Sequence, residues 1–343
     1  MLCLFLLKAE AAKQGVTDGL RLCGMVLIPA LGPISVLAGV LRRTGAAERL
    51  GKRLNSISAR LLGLPGSVLV PVLAGLLGGF PLGASYLAQM KKEKRISREN
   101  AIRISPVCNQ AGTAFVLGVV GGLLGSKALG VLLWAINGIS GLFAAMLFCR
   151  GRQCAEKVEQ SAPEETFGAS FSASVAEAAN SMLQLTGSVC FFSALTKAVS
   201  ELIAPYVDPG QASAQIGSLL SGILELTSGV IRAEGLRNYE AIPILAFLIG
   251  WGGLCVHLQA AQAFYSAELP VKRMLLGKAV QAGIASGLAM LAAAALFADA
   301  PDWYVPIGGI SVGWFPLARF LRFFQNRSGK TRKLCYNGGN QLL

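Results

Sequence analysis

The stretch Gly75–Tyr86 limits the possible folds of this chain most, because it places helix-breaking residues inside an apolar run. Five of them fall within nine positions: Gly75, Gly78, Gly79, Pro81 and Gly83. Glycine allows close backbone contact or positive φ, while Pro81 lacks an N–H donor and disfavours the α conformation at Phe80. Irregular backbone persists at membrane depth only where protein or a polar cavity supplies its hydrogen bonds. We therefore predict that Leu61–Met90 is a broken helix or re-entrant hairpin at a transport site; a tightly packed spanning helix with GxxxG spacing is the alternative.

The composition is that of an integral membrane protein. Of the 343 residues, 53% are hydrophobic and 14% are charged, whereas soluble domains carry roughly 25% charged residues. A net charge of +13 would suggest a nucleic-acid partner for a soluble protein. Here Lys and Arg lie in short loops between apolar runs, so we predict that they set the topology and contact membrane lipid, and that no nucleic acid is bound.

The apolar runs form two sets, which predicts an all-α polytopic membrane protein with about 8 membrane segments in two repeats. The predicted units are a first membrane repeat at 1–150, a polar linker at 151–170, a second repeat at 171–300, and a C-terminal membrane or interfacial helix with a basic tail at 301–343. Pro29 and Pro33 predict an interruption in the first long run, Leu22–Leu41. Gly222–Gly229 is the counterpart of Gly75–Gly83 in the second repeat.

The distribution of basic residues suggests that the two repeats are inverted. Basic loops flank Leu61–Met90 on both sides, while the corresponding loops of the second repeat hold few Lys or Arg residues. The next loop reverses this order, with Lys127 alone in the first half against Lys272, Arg273 and Lys278 in the second. Because basic loops face the cytoplasm, Leu61–Met90 should enter and leave on one face. Inverted repeats are common in secondary transporters; a parallel duplication is the alternative.

Polar and ionisable groups inside apolar runs are costly in a membrane and mark candidate sites. The candidate substrate-binding residues form four groups: Gly79, Phe80, Pro81 and Gly83; Asn109, Gln110 and Thr113; Thr227 and Ser228 beside Glu225; and Gln259 and Gln262 near His257. Backbone amides of the first group could hold an anion as helix N-termini do. Glu225 must find a partner, take up a proton or bind a cation, so we predict that it couples transport to a proton or cation. The amide side chains could equally cap or join helices.

Other functional classes find little support in the sequence. His257 is the only histidine and Cys255 is its one nearby potential ligand, so no metal site is predicted. Several of the eight cysteines lie inside apolar runs, where cysteine behaves as a small hydrophobe, and disulfides are not predicted. The sequence lacks a nucleophile–base pair, a phosphate loop and a metal motif, so we expect neither an enzyme nor a cofactor. Met1–Leu7 lacks the features of a signal peptide and is too short to span a membrane.

The glycine-rich and polar groups also resemble a known family. Gly79–Ala84 is similar to the SGYPxGA motif of the nucleoside-recognition, or Gate, domain membrane proteins. Four blocks resemble, in the same order, the YlbJ family of sporulation integral membrane proteins: Gly79–Ala84, Cys108–Gly112, Gly222–Gly229 and Gly252–Gln259. The resemblance covers roughly Gly15–Phe297, nearly the whole chain. Phe80 stands where the family usually has Tyr, so a contact through that hydroxyl is not expected here.

This resemblance implies a nucleoside-transporter-like fold and a protein of the outer forespore membrane in sporulating bacteria that helps to move dipicolinate, a planar aromatic dicarboxylate. We therefore expect a transporter or facilitator for a small anionic metabolite, with dipicolinate as substrate and the ring of Phe80 as a stacking surface. A nucleoside-type metabolite is the alternative substrate. A non-transporting membrane scaffold of sporulation is the alternative function, although a scaffold needs no irregular backbone in the bilayer. The sequence leaves homo-oligomerisation open.

Overall fold

The structure is a computed structural model, and it describes residues 2–149, 166–203 and 211–313. Throughout these residues the secondary structure is helical, which confirms the predicted all-α polytopic fold. The helices are α1 Leu2–Leu7, α2 Ala9–Leu22, α3 Ile28–Arg43, α4 Ala46–Leu62, α5 Leu69–Gly78, α6 Leu82–Lys92, α7 Arg98–Ile104, α8 Gly121–Leu123, α9 Lys127–Cys149, α10 Phe167–Ile203, α11 Gln211–Leu224, α12 Leu226–Arg232, α13 Asn238–Trp251, α14 Leu254–Ser266, α15 Val271–Leu296 and α16 Tyr304–Gly313. Most of the predicted linker and the basic tail lie outside the described residues.

Several of these helices are long and apolar enough to cross a membrane. There are 5 such helices in the described ranges, or up to 6 when a bent pair is counted as one span. They are Ala9–Arg43, Lys127–Cys149, Phe167–Ile203, Asn238–Ser266 and Val271–Leu296, and the bent pair is Arg49–Leu62 with Gly66–Gly78. The remaining predicted membrane segments are shorter or broken helices, so the protein is an integral membrane protein with many interrupted segments.

The first long helix is continuous, and the predicted interruption at Pro29 and Pro33 is wrong. A π-helical turn at Cys23–Leu27 joins α2 to α3, and the helix continues through both prolines to Arg43. Pro29 lies in the first turn of α3, where proline is well tolerated. Pro33 lies inside the helix, a position that membrane helices accept when neighbouring groups compensate for the lost hydrogen bond.

Equivalent helices of the two halves run antiparallel to each other. At one end of the first helix, a Cβ added to Gly15 would lie 2.6 Å from the Cα of Ala194; at the other end, a Cβ added to Gly39 would lie 2.8 Å from the Cβ of Ser174. The order of these contacts shows that Ala9–Arg43 and α10 point in opposite directions. Small residues along the seam allow the close approach.

The last helices of the two halves, α9 and α15, repeat this relationship. Arg273 Nη2 donates to the backbone oxygen of Phe148 at 3.0 Å, and Gln281 Nε2 donates to the backbone oxygen of Asn137 at 3.2 Å. The start of α15 therefore lies beside the end of α9. Antiparallel packing of both pairs of equivalent helices is the arrangement that inverted repeats produce.

The glycine-rich element predicted to be broken is a hairpin of α5 and α6. A Cβ added to Gly75 in α5 would lie 3.3 Å from the Cα of Gly83 in α6, so the two arms fold back on each other. The Phe80–Pro81 peptide between them is cis. Before the hairpin, α4 makes a 91° bend with Gly66–Gly78. A single straight spanning helix over Leu61–Met90 is therefore excluded.

A second hairpin occupies the corresponding place in the second half. Its arms are α11 and α12, and Ser218 Oγ donates to the backbone oxygen of Gly229 at 2.7 Å. A Cβ added to Gly229 would lie 2.3 Å from the Cα of Gly222, so the arms contact each other through glycine. Gly222–Gly229 is thus the structural counterpart of Gly75–Gly83, as the sequence predicted.

Two features of individual segments depend on tertiary packing. The apolar run Ile104–Leu124 is not one helix, because α7 ends at Ile104 and residues 105–112 are not helical. The prediction that Lys272, Arg273 and Lys278 lie in a loop is wrong, because they belong to α15, and Lys278 is fully buried. Local composition does not show which polar groups find partners on neighbouring helices.

Candidate functional site

Four interruptions of helical structure pack together in the interior. They are the turn at residues 79–81, the extended segment at 105–112, the residue Glu225, and the glycine pair Gly252 and Gly253. Each interruption separates two helices that would otherwise continue through the membrane. Non-helical backbone of this kind is tolerated when it is buried in protein or lines a cavity. We call this convergence of the four interruptions the central site.

Glycine backbones make the contacts between the first two interruptions. A Cβ added to Gly83 would lie 1.8 Å from the backbone oxygen of Cys108, and a Cβ added to Gly79 would lie 3.0 Å from the Cα of Gly112. Gly79 also has φ +84°, a conformation that L side chains rarely adopt. Two of the residues predicted to bind substrate therefore have a packing function, because they let the hairpin touch the extended segment.

The last two interruptions continue this chain of contacts. A Cβ added to Gly252 would lie 2.8 Å from Cζ of Phe80, and a Cβ added to Gly253 would lie 2.9 Å from the backbone nitrogen of Leu226. Phe80 therefore packs directly on the fourth interruption, and the fourth packs on the third beside Glu225. Residues far apart in sequence thus meet at one place.

A lysine that the sequence-based site prediction missed lies at this convergence. Lys278 is 0% exposed, and its Nζ donates to the backbone oxygen of Asn109 and to Oε1 of Gln281, each at 2.9 Å. The same Nζ lies 5.2 Å from the centroid of the Phe80 ring, a cation–π distance. Among the described residues, no carboxylate forms an ion pair with Lys278.

Amide side chains extend the polar cluster from Lys278 across the interior. Gln281 Nε2 donates to Oε1 of Gln110 at 2.7 Å and to Oδ1 of Asn137 at 3.1 Å. Gln110 Nε2 also donates to the backbone oxygen of Val107 at 2.8 Å, which fixes the extended segment. Gln110 was predicted from the sequence. Asn137 and Gln281 were not predicted. Each is a polar residue inside an apolar run, and this pattern could have identified them from the sequence.

Several buried polar atoms near these residues have no hydrogen-bond partner. They include both side-chain polar atoms of Asn109, both ring nitrogens of His257, and Oε1 of Gln259. Asn109 is 0% exposed and His257 is 2% exposed. Buried polar groups are normally satisfied, so a group of unsatisfied donors and acceptors in one region is the feature expected of a site that binds a polar ligand.

Glu225 has partners for both of its carboxylate oxygens. Oε1 accepts from the backbone nitrogen of Thr227 at 2.9 Å, and Oε2 accepts from the backbone nitrogen of Ser228 at 2.6 Å. The side chain therefore caps the N-terminus of α12, where a negative charge is favourable. The sequence left three possibilities for Glu225: a partner, a proton or a bound cation. The structure provides a partner, which is the N-terminus of α12.

The other predicted site residues have different surroundings. Thr113 Oγ1 donates to the backbone oxygen of Leu76 at 3.0 Å and accepts from Trp134 Nε1 at 3.1 Å, so it ties the extended segment to the hairpin. Phe80 and Pro81 both line a cavity between α3, α6 and α10. Gln262 is exposed on the surface of α14 and does not join the buried cluster.

A cavity of about 560 Å³, which includes space open to solvent, reaches the central site between α3, α6 and α10. Phe80 lines the cavity, as do Arg42, Gln89 and Glu177. Arg42 Nη2 donates to Oε2 of Glu177 at 2.8 Å, and its Nη1 pairs with Oε1 of Glu93. These ion pairs connect the three helices around the cavity.

The described residues include no group of three or more His, Cys, Asp or Glu side chains placed to hold a metal ion. His257 instead lies with its ring edge against Trp251, with the ring centroids 4.4 Å apart. The chemistry that the central site offers is binding: a buried cation, free amide groups and an aromatic ring.

Comparison with known proteins supports the resemblance found in the sequence. Residues 25–127 match the family model of the Gate domain, described as nucleoside recognition. The chain is 21% identical over 319 residues to the sporulation integral membrane protein YlbJ of Bacillus subtilis (strain 168), a match that covers 82% of this chain and 78% of the relative. No solved structure matches the chain. The predicted resemblance to Gate-domain proteins and to YlbJ is therefore confirmed.

Proposed function

We propose that this protein is a transporter or facilitator that carries a small anionic metabolite across a bacterial membrane. The observation that carries the proposal is the convergence of four helix interruptions on one buried polar cluster that has unsatisfied amide groups. Interrupted helices with a central polar site, in inverted repeats, are the architecture of many secondary transporters. A protein that only scaffolds others has no need of such a centre.

The charge of the substrate is proposed from Lys278. A lysine buried without a carboxylate partner favours a ligand that brings negative charge, because its ammonium form is costly in the interior unless it is paired. The helix end near Glu225 is already capped by that carboxylate, so it does not offer its amides to an anion. We therefore propose that the anion binds on the Lys278 side of the central site and that Glu225 is the proton- or cation-coupling group.

Dipicolinate is the proposed substrate, and the outer forespore membrane of a sporulating cell is the proposed location. Both rest on the similarity to the sporulation integral membrane protein YlbJ. The aromatic ring of Phe80 beside the buried ammonium is consistent with a flat carboxylate. The proposal involves no covalent chemistry, no cofactor and no nucleic acid; its partners are the anion and the surrounding lipid, and a homo-oligomer is compatible with it.

Uptake of radiolabelled dipicolinate into proteoliposomes that contain the purified protein tests the proposal directly. Protein-free liposomes and excess unlabelled dipicolinate serve as controls, and a pH difference across the membrane is varied in parallel. We expect saturable uptake that depends on the protein. A protein that reconstitutes in folded form and moves neither dipicolinate nor other small carboxylates would overturn the proposal and favour the scaffold.

A nucleoside-type metabolite is the second candidate substrate, because the Gate family model carries the description nucleoside recognition. The side-chain polar atoms of Asn109 and His257, together with Oε1 of Gln259, could also donate to and accept from a nucleobase. Labelled uridine in the same proteoliposomes separates the two substrates. Uptake of uridine without uptake of dipicolinate would select the nucleoside alternative.

A further inference from the structure

We infer that Lys278 is the residue that binds the carboxylate of the transported anion, and that the ring of Phe80 covers it until the anion arrives. The ligand class is a carboxylate attached to a flat ring. This inference rests on the proposed transport of an anion, but it adds a binding residue and an entry step that the resemblance does not supply.

The first support is the charge balance around Lys278. Its ammonium is 0% exposed, and its hydrogen-bond partners are an amide side chain and a backbone oxygen, Gln281 Oε1 and Asn109 O. These oxygens are neutral, so they satisfy donors without balancing the charge. A buried ammonium group is costly unless an opposite charge pairs with it. A bound carboxylate would supply the missing negative charge.

The second support is the position of Phe80 between the cavity and Lys278. Phe80 lines the cavity and Lys278 does not, while the centroid of the Phe80 ring lies 5.2 Å from Lys278 Nζ. The ring therefore stabilises the ammonium by a cation–π contact, which is weaker than a charge-assisted hydrogen bond to a carboxylate. An anion that enters through the cavity can take the place of the ring at the ammonium.

The third support is the free amide beside this ammonium. Asn109 presents its backbone oxygen to Lys278, and both polar atoms of its side chain lack partners. A free N–H₂ and a free oxygen can donate to a carboxylate and accept from a ring N–H or hydroxyl. The displaced Phe80 ring provides an apolar surface on which a flat ligand can stack. Charge, amide and ring together favour an aromatic carboxylate over a flexible aliphatic one.

Equilibrium binding tests the ligand class with the full-length protein in detergent. The probes are pyridine-2,6-dicarboxylate, pyridine-2-carboxylate and the neutral pyridine-2,6-dicarboxamide. We expect the wild type to bind the dicarboxylate and the monocarboxylate and to reject the diamide. Lys278→Gln should weaken binding of the dicarboxylate by about 100-fold, a loss typical of a desolvated charge pair. The matched control is Lys272→Gln, which removes the same charge from the exposed first turn of the same helix and should bind as the wild type does.

Chemical labelling tests the cover without relying on the Lys278 variant. In the wild type, acetic anhydride should leave Lys278 unmodified, as peptide mass spectrometry reports. In Phe80→Ala the amine should become reactive, and pyridine-2,6-dicarboxylate should protect it. Phe171→Ala, which removes an exposed ring from α10, is the matched control and should leave Lys278 unmodified.

The outcomes separate this inference from the proposed function. Uptake of dipicolinate by the wild type together with unchanged binding in Lys278→Gln would overturn the inference and leave transport standing. Equal binding of the dicarboxylate and the neutral diamide by the wild type would also overturn it, even if Lys278→Gln fails to fold. An unreactive Lys278 in Phe80→Ala would show that Phe80 is not the cover. Absence of any anion uptake by the wild type would instead remove the proposed function.

Discussion

The backbones of Gly79 and Gly112 are in direct contact, and neither residue has room for a side chain. A Cβ added to Gly79 would lie 3.0 Å from the Cα of Gly112, and a Cβ added to Gly112 would lie 2.9 Å from the Cα of Gly79. The two residues belong to different interruptions, one in the first hairpin and one in the extended segment that ends at residue 112. This contact makes the central site possible, because it brings Phe80 and Asn109 within reach of the same lysine.

Gly83→Ala should abolish transport while the protein still inserts in the membrane. The added methyl group would lie 1.8 Å from the backbone oxygen of Cys108, so the hairpin must move away from the extended segment. Overpacking of this kind typically costs about 1–3 kcal/mol. Proteoliposome uptake after size-exclusion chromatography measures the effect. Gly187→Ala, at an exposed position of α10 with nothing within 4 Å, is the matched control and should transport normally. Wild-type uptake by Gly83→Ala would show that this contact does not shape the site.

Cysteine labelling should place positions 53 and 94 on the same, cytoplasmic, side of the membrane. The reason is that the end of the hairpin returns to the end of α3, where Arg95 Nη1 donates to the backbone oxygen of Arg42 at 2.9 Å. The measurement uses a membrane-impermeant maleimide on single-cysteine variants in a background without native cysteines. Glu201→Cys, at the other end of the antiparallel helix α10, should label from the opposite side. Labelling of 53 and 94 from different sides would contradict the re-entrant hairpin.

Glu225→Gln separates a coupling role from a structural one. If Glu225 couples transport to protons, the variant should bind the anion but lose the response of uptake to a pH gradient. The measurement is uptake at a series of imposed pH differences.

The alternative result for Glu225→Gln is a transporter with an intact pH response and lower thermal stability. A glutamine has one oxygen, so it can accept from Thr227 or Ser228 but cannot hold both amides as the carboxylate does. Loss of a cap typically costs about 0.5–2 kcal/mol. That result would assign Glu225 to capping α12 and remove it from the coupling proposal.

Arg42→Gln should destabilise the protein more than the loss of an ordinary surface ion pair does. The Arg42 side chain is 4% exposed and contacts Glu93 and Glu177, so its removal leaves two carboxylates without their shared cation. Removing one partner of a buried ion pair typically lowers the free energy of unfolding by about 3 kcal/mol. For Arg42→Gln we expect about half of that loss or less, because Glu177 is 47% exposed.

The control for this comparison is Lys8→Gln. Lys8 and Glu201 are 4.0 Å apart with side chains 33% and 49% exposed, a geometry worth less than about 1 kcal/mol. Thermal unfolding in detergent compares the two variants with the wild type. Equal melting temperatures for both variants would show that the ion pairs around the cavity do not hold α3, α6 and α10 together.

The sequence by itself determined that the chain is an all-α membrane protein and that its helices break at Gly75–Gly83 and Gly222–Gly229. Long apolar runs require membrane helices, and the glycines and Pro81 around Phe80 interrupt a helix wherever that helix is placed. These are local effects of backbone chemistry, so they can be predicted without knowing the neighbours. The resemblance to Gate-domain proteins rested on the same short motifs.

Only the tertiary structure decided which polar side chains share the central site. Lys278 follows Lys272 and Arg273 in the sequence and resembled one more loop charge, yet it is the buried cation of the cluster, while the predicted Gln262 is exposed. Glu225 resembled an unpaired acid, but it caps α12. Burial and pairing of a side chain depend on the helix that packs against it, and those contacts join residues more than a hundred positions apart. For that reason the composition of a segment could locate the two glycine-rich interruptions but neither the one at residues 105–112 nor the residues that complete the site.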